Sequence, residues 1–339
     1  MDWGVTKEFL VSHRSCFAGC HLMCIIDVNM KYLPFMDGKY STAPALNAMA
    51  KTDDVRNQFV FHIDEQYNDY IDNKLNCRKE DINKYYFEAE LYSDTLININ
   101  RQFVKQLTTE YPADFTFDDE SGHYTLHNNK TGKTFSWGDD WIKVEGSFYL
   151  SLFDALCSQV QEDIAICQLD GDRDWLSAIH LSSANHWAPS VKIGRPFSSV
   201  HGVVPGMEKL NQQYFKMLVT AVQKGPFFRF AWGISTDTRL NHHPEPPPGV
   251  DPVYWQGRRV EADDSKIYLR VERQTITGVP NCNAFFFTIR TFFYDIDDLT
   301  ADEKKALFMA VEGMTPQSLE YKGLTDKVEI LRGRLLGDL

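Results

Sequence analysis

Apolar residues recur at helical spacing within residues 53–111, where Leu91, Leu96, Ile99, Phe103, Leu107 and Tyr111 leave Arg101, Lys105 and Glu110 for the other side. One face of a helix with 3.6 residues per turn produces this pattern, and Pro112, which cannot continue it, marks the end. The period then shortens to two. Phe115-Thr116-Phe117, Tyr124-Thr125-Leu126 and Lys133-Thr134-Phe135 alternate around Asn128-Asn129-Lys130-Thr131-Gly132, which predicts small antiparallel strands with tight turns. A helical period returns over residues 148–160. Ile164-Ala165-Ile166-Cys167 and Trp175-Leu176-Ser177-Ala178-Ile179 then flank Asp170-Gly171-Asp172 and predict a hairpin. A polar loop with Pro189, Gly194 and Pro196 leads to Val200-His201, and a helix is expected over residues 207–223. Aromatic-rich strands are expected over 227–234, 267–275 and 284–293, followed by a helical region over 301–334. Pro244, Pro246, Pro247 and Pro248 exclude residues 241–249 from a sheet interior and predict a surface loop.

Strands joined by hairpins and occasional helices, without regular strand–helix alternation, predict an α+β fold on an antiparallel sheet rather than a doubly wound one. No internal repeat is present. Residues 1–150 read as a mainly helical region packed on a core formed by 151–339, the two making one continuous globular unit. The 339 residues are 43% hydrophobic and 24% charged, enough apolar material for a large core and too little charge for wholesale disorder. A net charge of −12 argues against a nucleic-acid partner, which favours a basic stripe. Seven cysteines, odd in number and irregularly spaced, fit a reducing cytoplasm better than a secreted disulfide framework. No run approaches the roughly 18 apolar residues of a membrane span. The mildly apolar residues 15–28 contain His21 and lack a small-residue cleavage site, so they do not read as a signal peptide.

Several chemical motifs have plain structural alternatives. Cys16, Cys20 and Cys24 have enough thiols to bind zinc or an iron–sulfur cluster, yet on a helix they stack on one face as small apolar residues, the favoured reading. His242-His243 beside the proline run reads as a solvated loop. Gly194 between Lys192 and Arg195 is not a phosphate loop, no Gly-x-Gly-x-x-Gly follows a strand, and no Gly-x-Ser-x-Gly elbow is present. His201 is different in kind. It lies between Val200 and Val203-Val204 at a turn before an expected helix, with Arg195, Arg229, Arg270, Arg273 and Arg290 elsewhere as cations. A haem needs a neutral imidazole nitrogen, an apolar wall and cations for its propionates. On residue chemistry alone His201 is one candidate, and an ordinary buried histidine is the alternative.

A longer pattern surrounds it. Trp187-x-Pro189-x2-Lys192-x-Gly194-x2-Phe197-x3-His201-x2-Val204-Pro205 resembles the motif of the haem-dependent oxidative N-demethylase family, also called dimethylamine monooxygenase haem subunits. Gln161-Glu162-Asp163, Arg229-x2-Trp232, Arg270-x-Glu272-Arg273-Gln274-Thr275 and Thr288-Ile289-Arg290-Thr291 resemble its other landmarks in order. Upstream, Leu33-Pro34-Phe35-x2-Gly38-x-Tyr40 and Ile63-Asp64-x2-Tyr67 fit its amino-terminal region.

The resemblance implies a PAS-like antiparallel sheet with flanking helices. It also implies haem b held through a histidine iron ligand, and electrons passed from NAD(P)H through a flavin and iron–sulfur reductase partner. The implied reaction uses O2 to hydroxylate an N-methyl carbon of a small amine, and the carbinolamine collapses to formaldehyde and the demethylated amine. By motif position His201 would be the metal ligand. Lys192, Arg270, Arg273 and Arg290 would contact the cofactor, and Arg229 and Glu272 would serve catalysis. An internal Glu272–arginine ion pair that fixes the sheet is the alternative for Glu272. Ala231 stands where the family has Asn, His186 precedes Trp187, and Met207 follows Gly206 where an aromatic is expected. These departures point away from dimethylamine, to a larger amine or to a different oxidative step on a biosynthetic intermediate. A PAS-like haem sensor without turnover, or a scaffold that has lost haem, is the non-enzymatic alternative.

Overall fold

The computed structural model describes residues 31–202, 204–206, 213–256, 260 and 266–337, so Cys16, Cys20, Cys24 and Met207 lie outside the described residues. Among the described residues the order opens with strand β1 (Asn47–Ala48), helix α1 (Tyr67–Tyr85), strand β2 (Tyr86–Glu88) and helix α2 (Ser93–Glu110). The period-two segments follow as β3 (Phe115–Glu120), β4 (His123–Asn128) and β5 (Lys133–Trp137), then α3 (Leu152–Cys157). The predicted hairpin is β6 (Asp163–Asp170) and β7 (Arg173–His180). Gly171 at its turn has φ +59°, a conformation a two-residue hairpin turn requires and a side chain resists. Next come α4 (Phe197–Val200), α5 (Tyr214–Lys224), β8 (Phe227–Ser235), α6 (Pro252–Trp255), β9 (Tyr268–Val279) and β10 (Ala284–Asp295). The chain closes with α7 (Ala301–Glu312), α8 (Pro316–Lys322) and α9 (Val328–Leu336).

The fold is α+β. β1-β8-β9-β10-β6-β7-β2 form a seven-stranded sheet and β3-β4-β5 a three-stranded one, with antiparallel pairing throughout. Residues Tyr32–Leu339 form one compact unit. One face of the large sheet is covered by helices: Phe103 of α2 and Phe61 pack on Phe286 of β10, and Leu307 and Leu331 of the C-terminal helices join Leu269 and Val271 of β9. The other face carries α5 and residues 187–201.

Three expectations change. The helical pattern of residues 53–111 is broken by β2, which is short and pairs with the sheet edge through Tyr86 opposite His180. The C-terminal helical region is three helices, separated near Gly313 and at Gly323, whose φ of +71° ends α8. The loop at 241–249 is exposed only from Pro244 onward. His242 and His243 are each 2% exposed, so the solvated reading of that pair is wrong. Its polar atoms are met inside the fold: Asn241 donates to Tyr85 and Trp255 to the His243 carbonyl.

A charged layer lies between the large sheet and its helices. Glu162 accepts from the His62 amide at 2.7 Å, and Lys74 donates to the Glu162 carbonyl at 2.5 Å. Burial pushes the Glu162 carboxyl up to about 7, against the pull of Arg290 and Arg273. The folded chain therefore holds a proton that the unfolded chain releases above about pH 4.5, and stability falls as pH rises from there to about 7. Glu162→Gln removes this loss. Its stability relative to wild type should improve by about 2–3 kcal/mol between pH 4.5 and 7.5, at roughly 1.4 kcal/mol per pH unit. Urea midpoints at the two pH values check this, and a pH-independent difference would contradict it.

Candidate haem-binding cavity

On a strand alternate side chains share a face. In the register of the large sheet, Arg229 faces Gln274 and Ala231 faces Glu272 across β8 and β9. With Arg270 and Ile276 of β9 and Phe285, Phe287 and Ile289 of β10, they floor a cavity of about 260 Å³. Its cover is formed by side chains of residues 187–201 and Val204, together with Met217, Leu218 and Ala221 of α5, Tyr40 and Lys322.

The cover is held by backbone bonds. The Gly194 amide donates to the Leu176 carbonyl at 2.8 Å and the Leu176 amide donates to the Arg195 carbonyl at 3.0 Å, an extension of the sheet edge. Asp174 of β7 then accepts from the Phe197 amide at 2.6 Å and fixes the start of α4. One turn later His201 caps the end of α4 and turns its ring into the cavity wall. Its Nδ1 lies 3.0 Å from the Phe197 carbonyl oxygen. A carbonyl only accepts, so Nδ1 carries the proton and Nε2 keeps its lone pair. The Phe197 ring packs against the imidazole with centroids 4.0 Å apart. Burial pulls the His201 pKa down to about 4, opposed by the bond to Phe197 and assisted by Lys192 and Arg229. The ring is neutral at physiological pH.

The rest of the lining divides into apolar surface and cations. Lys192 lies 3.9 Å over the Trp187 ring, and burial lowers its pKa to about 8 while Glu272 opposes the shift. Arg229 is half-buried, and its Nε is enclosed and unbonded among the described residues. Glu272 accepts from Asn185 at 2.8 Å and from Gln274 at 3.0 Å, with Arg270 Nε 3.7 Å away. Five cations, Lys192, Arg195, Arg229, Arg270 and Lys322, thus line the cavity against one carboxylate among the described residues, Glu272. In a chain of net charge −12, that is a local surplus of positive charge.

The structure brings His201, Lys192, Arg229, Arg270 and Glu272 to one cavity. It does not bring Arg273 and Arg290 there. Both side chains are fully buried on the opposite, helix-covered face. Arg273 donates to the Asn57 side chain at 2.9 Å and to the Phe59 carbonyl at 2.5 Å. Arg290 pairs with Asp64 at 2.8 Å and lies over the Tyr70 ring. Their assignment to the cofactor is corrected: sheet alternation sends them to the charged layer instead. Asn185 and Asp237 belong to the site or its backing and carry no sequence signal, whereas Gln274 stands inside a family landmark and His242 in the pair read as solvated loop.

A haem suits this donor set. Among the described residues no three His, Cys, Asp or Glu side chains converge as a metal cage. One neutral imidazole with a free nitrogen, beside apolar walls and surplus cations, matches a metal held mainly by its own macrocycle. The Nδ1–H to carbonyl bond is the kind of outer contact that orients a ligating histidine. Among the described residues no helix is long and apolar enough to cross a membrane. The family model described as "haem-dependent oxidative N-demethylase, alpha subunit-like" matches residues 51–331, and the chain belongs to that family.

Proposed function

We propose that this chain binds haem b in the cavity through His201 and oxidises an amine-bearing small molecule, removing an N-methyl group or hydroxylating the substrate. O2 and electrons from a separate reductase, supplied by NAD(P)H through flavin and iron–sulfur carriers, complete the reaction. The observation that carries this reading is the His201 imidazole, neutral, with Nε2 free in a cavity of surplus positive charge. The antiparallel sheet with flanking helices supports the PAS-like reading. When bound, haem supplies the oxygen-activating redox chemistry that no side chain can perform. The chain's own residues do the rest. His201 would hold the iron. Lys192 and Arg229 would meet the propionates, Arg229 with a guanidinium that stays charged when buried. Glu272, the one carboxylate among the described lining residues, would accept an N–H of the cationic amine, and Trp187, Phe285 and Phe287 would exclude water from its methyl groups. Ala231, directly opposite Glu272, leaves room there for a substituent larger than methyl.

Titration of the purified chain with haemin should give a Soret band that saturates at one haem per chain. Arg229→Leu should weaken that binding by roughly 10- to 100-fold, the loss of a charge-assisted hydrogen bond of about 1.5–3 kcal/mol. With a reductase, O2 and a methylated amine, formaldehyde should accumulate. Absence of a Soret band at ample haemin would sink the proposal, and a band without amine turnover would favour a haem sensor.

A further inference from the structure

Behind Arg270 a second row of polar side chains runs away from the cavity. His242 Nδ1 is 3.2 Å from Arg270 Nη1, and His242 Nε2 is 2.9 Å from Asp237 Oδ1. A guanidinium only donates and a carboxylate only accepts. Both contacts are satisfied by one form of the ring, neutral with its proton on Nε2, so that Nδ1 accepts from Arg270 and Nε2–H donates to Asp237. Arg270 is also held from behind by the Ser183 carbonyl at 2.8 Å. Its Nε stays on the cavity side, 3.7 Å from Glu272, without a hydrogen bond.

The two loops concerned are tied together. The His242 amide donates to the Ala184 carbonyl at 2.9 Å, and the His186 amide donates to the His242 carbonyl at 3.0 Å. The His186 ring stacks on the His242 ring, from a backbone in the left-handed region at φ +61°. The loop that carries Asn185 and Trp187 into the cavity is therefore locked to the loop that carries His242.

We propose that Asp237 and His242 are a positioning pair for Arg270 and Glu272, holding the guanidinium at 3.7 Å, an ion pair without a hydrogen bond, so that the Glu272 carboxylate keeps its lone pairs for a cationic ligand in the cavity. This rests on the reading of the cavity as a haem and amine site. A proton added at Nδ1 would set an N–H against the Arg270 N–H. The guanidinium would lose that partner and close on Glu272, the side where its Nε is unbonded. The charged and titratable groups facing the ring are Asp237, Arg270, Arg239 and the stacked His186. Burial lowers the His242 pKa, the bond to Asp237 opposes it, and Arg270 and Arg239 assist, so the neutral ring is the resting form.

Three full-length proteins test this: wild type, His242→Asn, whose amide oxygen can still face Arg270 and does not titrate, and His242→Leu, which offers no acceptor. Nitrogen-detected NMR of the haem-free wild type should show His242 protonated on Nε2 and neutral below the ordinary histidine pKa of about 6.5. An Nδ1–H tautomer, or titration at or above that value, overturns the pairing whether or not haem binds. In the haem-loaded proteins, dimethylammonium is the probe and the Soret shift its readout. His242→Leu should bind it about tenfold more weakly at pH 7.5, as expected for one lost charge-assisted hydrogen bond. His242→Asn should stay within about twofold of wild type and lack the wild-type loss of affinity on acidification. Equal weakening in both variants at unchanged Tm overturns the positioning role. A wild type that gives no Soret band refutes the haem reading, and the haem-free NMR measurement still decides the pairing.

Discussion

His201→Ala should lose high-affinity haem binding while the chain stays folded. The imidazole ends a helix of four residues and is held by the Phe197 carbonyl and ring, so its removal takes little from the core. The expected change in stability is within about 1 kcal/mol, as for a half-buried side chain that makes one hydrogen bond. The change in haem affinity should be far larger. Disturbing only the outer hydrogen bond of a metal ligand typically lowers affinity about 10–100-fold, and removing the ligand itself should exceed that range. Haemin titration followed at the Soret band measures it, with urea denaturation as the control for folding. Added imidazole should restore part of the band, because the cavity wall left by alanine is open to a ring of the same shape. An unchanged Soret spectrum in His201→Ala would remove the axial-ligand assignment.

Gly278→Ala should destabilise the protein by about 3 kcal/mol or more and disturb the roof of the cavity. A Cβ at this position in β9 would lie 2.1 Å from the Val222 carbonyl oxygen and 2.7 Å from that of Ala221. Both atoms are backbone of α5, so no side chain can rotate away and the helix itself must move. Overpacking against flexible side chains usually costs about 1–3 kcal/mol, and a rigid helix puts this case at or above the upper end. Met217, Leu218 and Ala221 of the same helix line the cavity, so the displacement should also weaken haem binding. Thermal melts should show a Tm lowered by roughly 4 °C or more. Gly138→Ala is the matched control: its added Cβ meets nothing within 4 Å, and its melt should match wild type. Equal Tm values for the two variants would refute the close-packing argument.

The two predictions differ in how far the sequence alone reaches them. His201 stands out in an ordered motif, Trp187 through Pro205, and that motif was readable because its spacing is local: one loop and one helical turn carry it. Gly278 carries no such sign. Its importance comes from the approach of α5, a helix about 60 residues earlier in the chain. The same division runs through the arginines. Arg270 and Arg273 sit three apart on one strand, so pleating sends them to opposite faces. A motif containing both reads as one site, and only the sheet separates the cavity-lining arginine from the one that secures Asn57 and Phe59.

His242 shows the opposite error. Adjacent histidines beside four prolines have the composition of exposed loop, and from Pro244 onward the loop is exposed. The first three residues turn inward because Tyr85, Trp255, Asp237 and Arg270 offer them partners. Those partners come from four separate segments, and no local pattern announces them.

The sequence by itself determined the α+β class, the β6–β7 hairpin, the small sheet, the three aromatic strands and the family. Each depends on periods of two or 3.6 residues, on turn residues, or on motifs read in order along the chain. The tertiary structure decided which cations face the cavity, which tautomer His201 adopts, and how His242 backs Arg270. Those facts depend on strand register, on the close approach of helix to sheet, and on buried polar groups finding partners far away in the chain. Burial makes such partnerships obligatory, since an unpaired polar group away from water costs about 1–3 kcal/mol, yet it leaves no trace in local spacing.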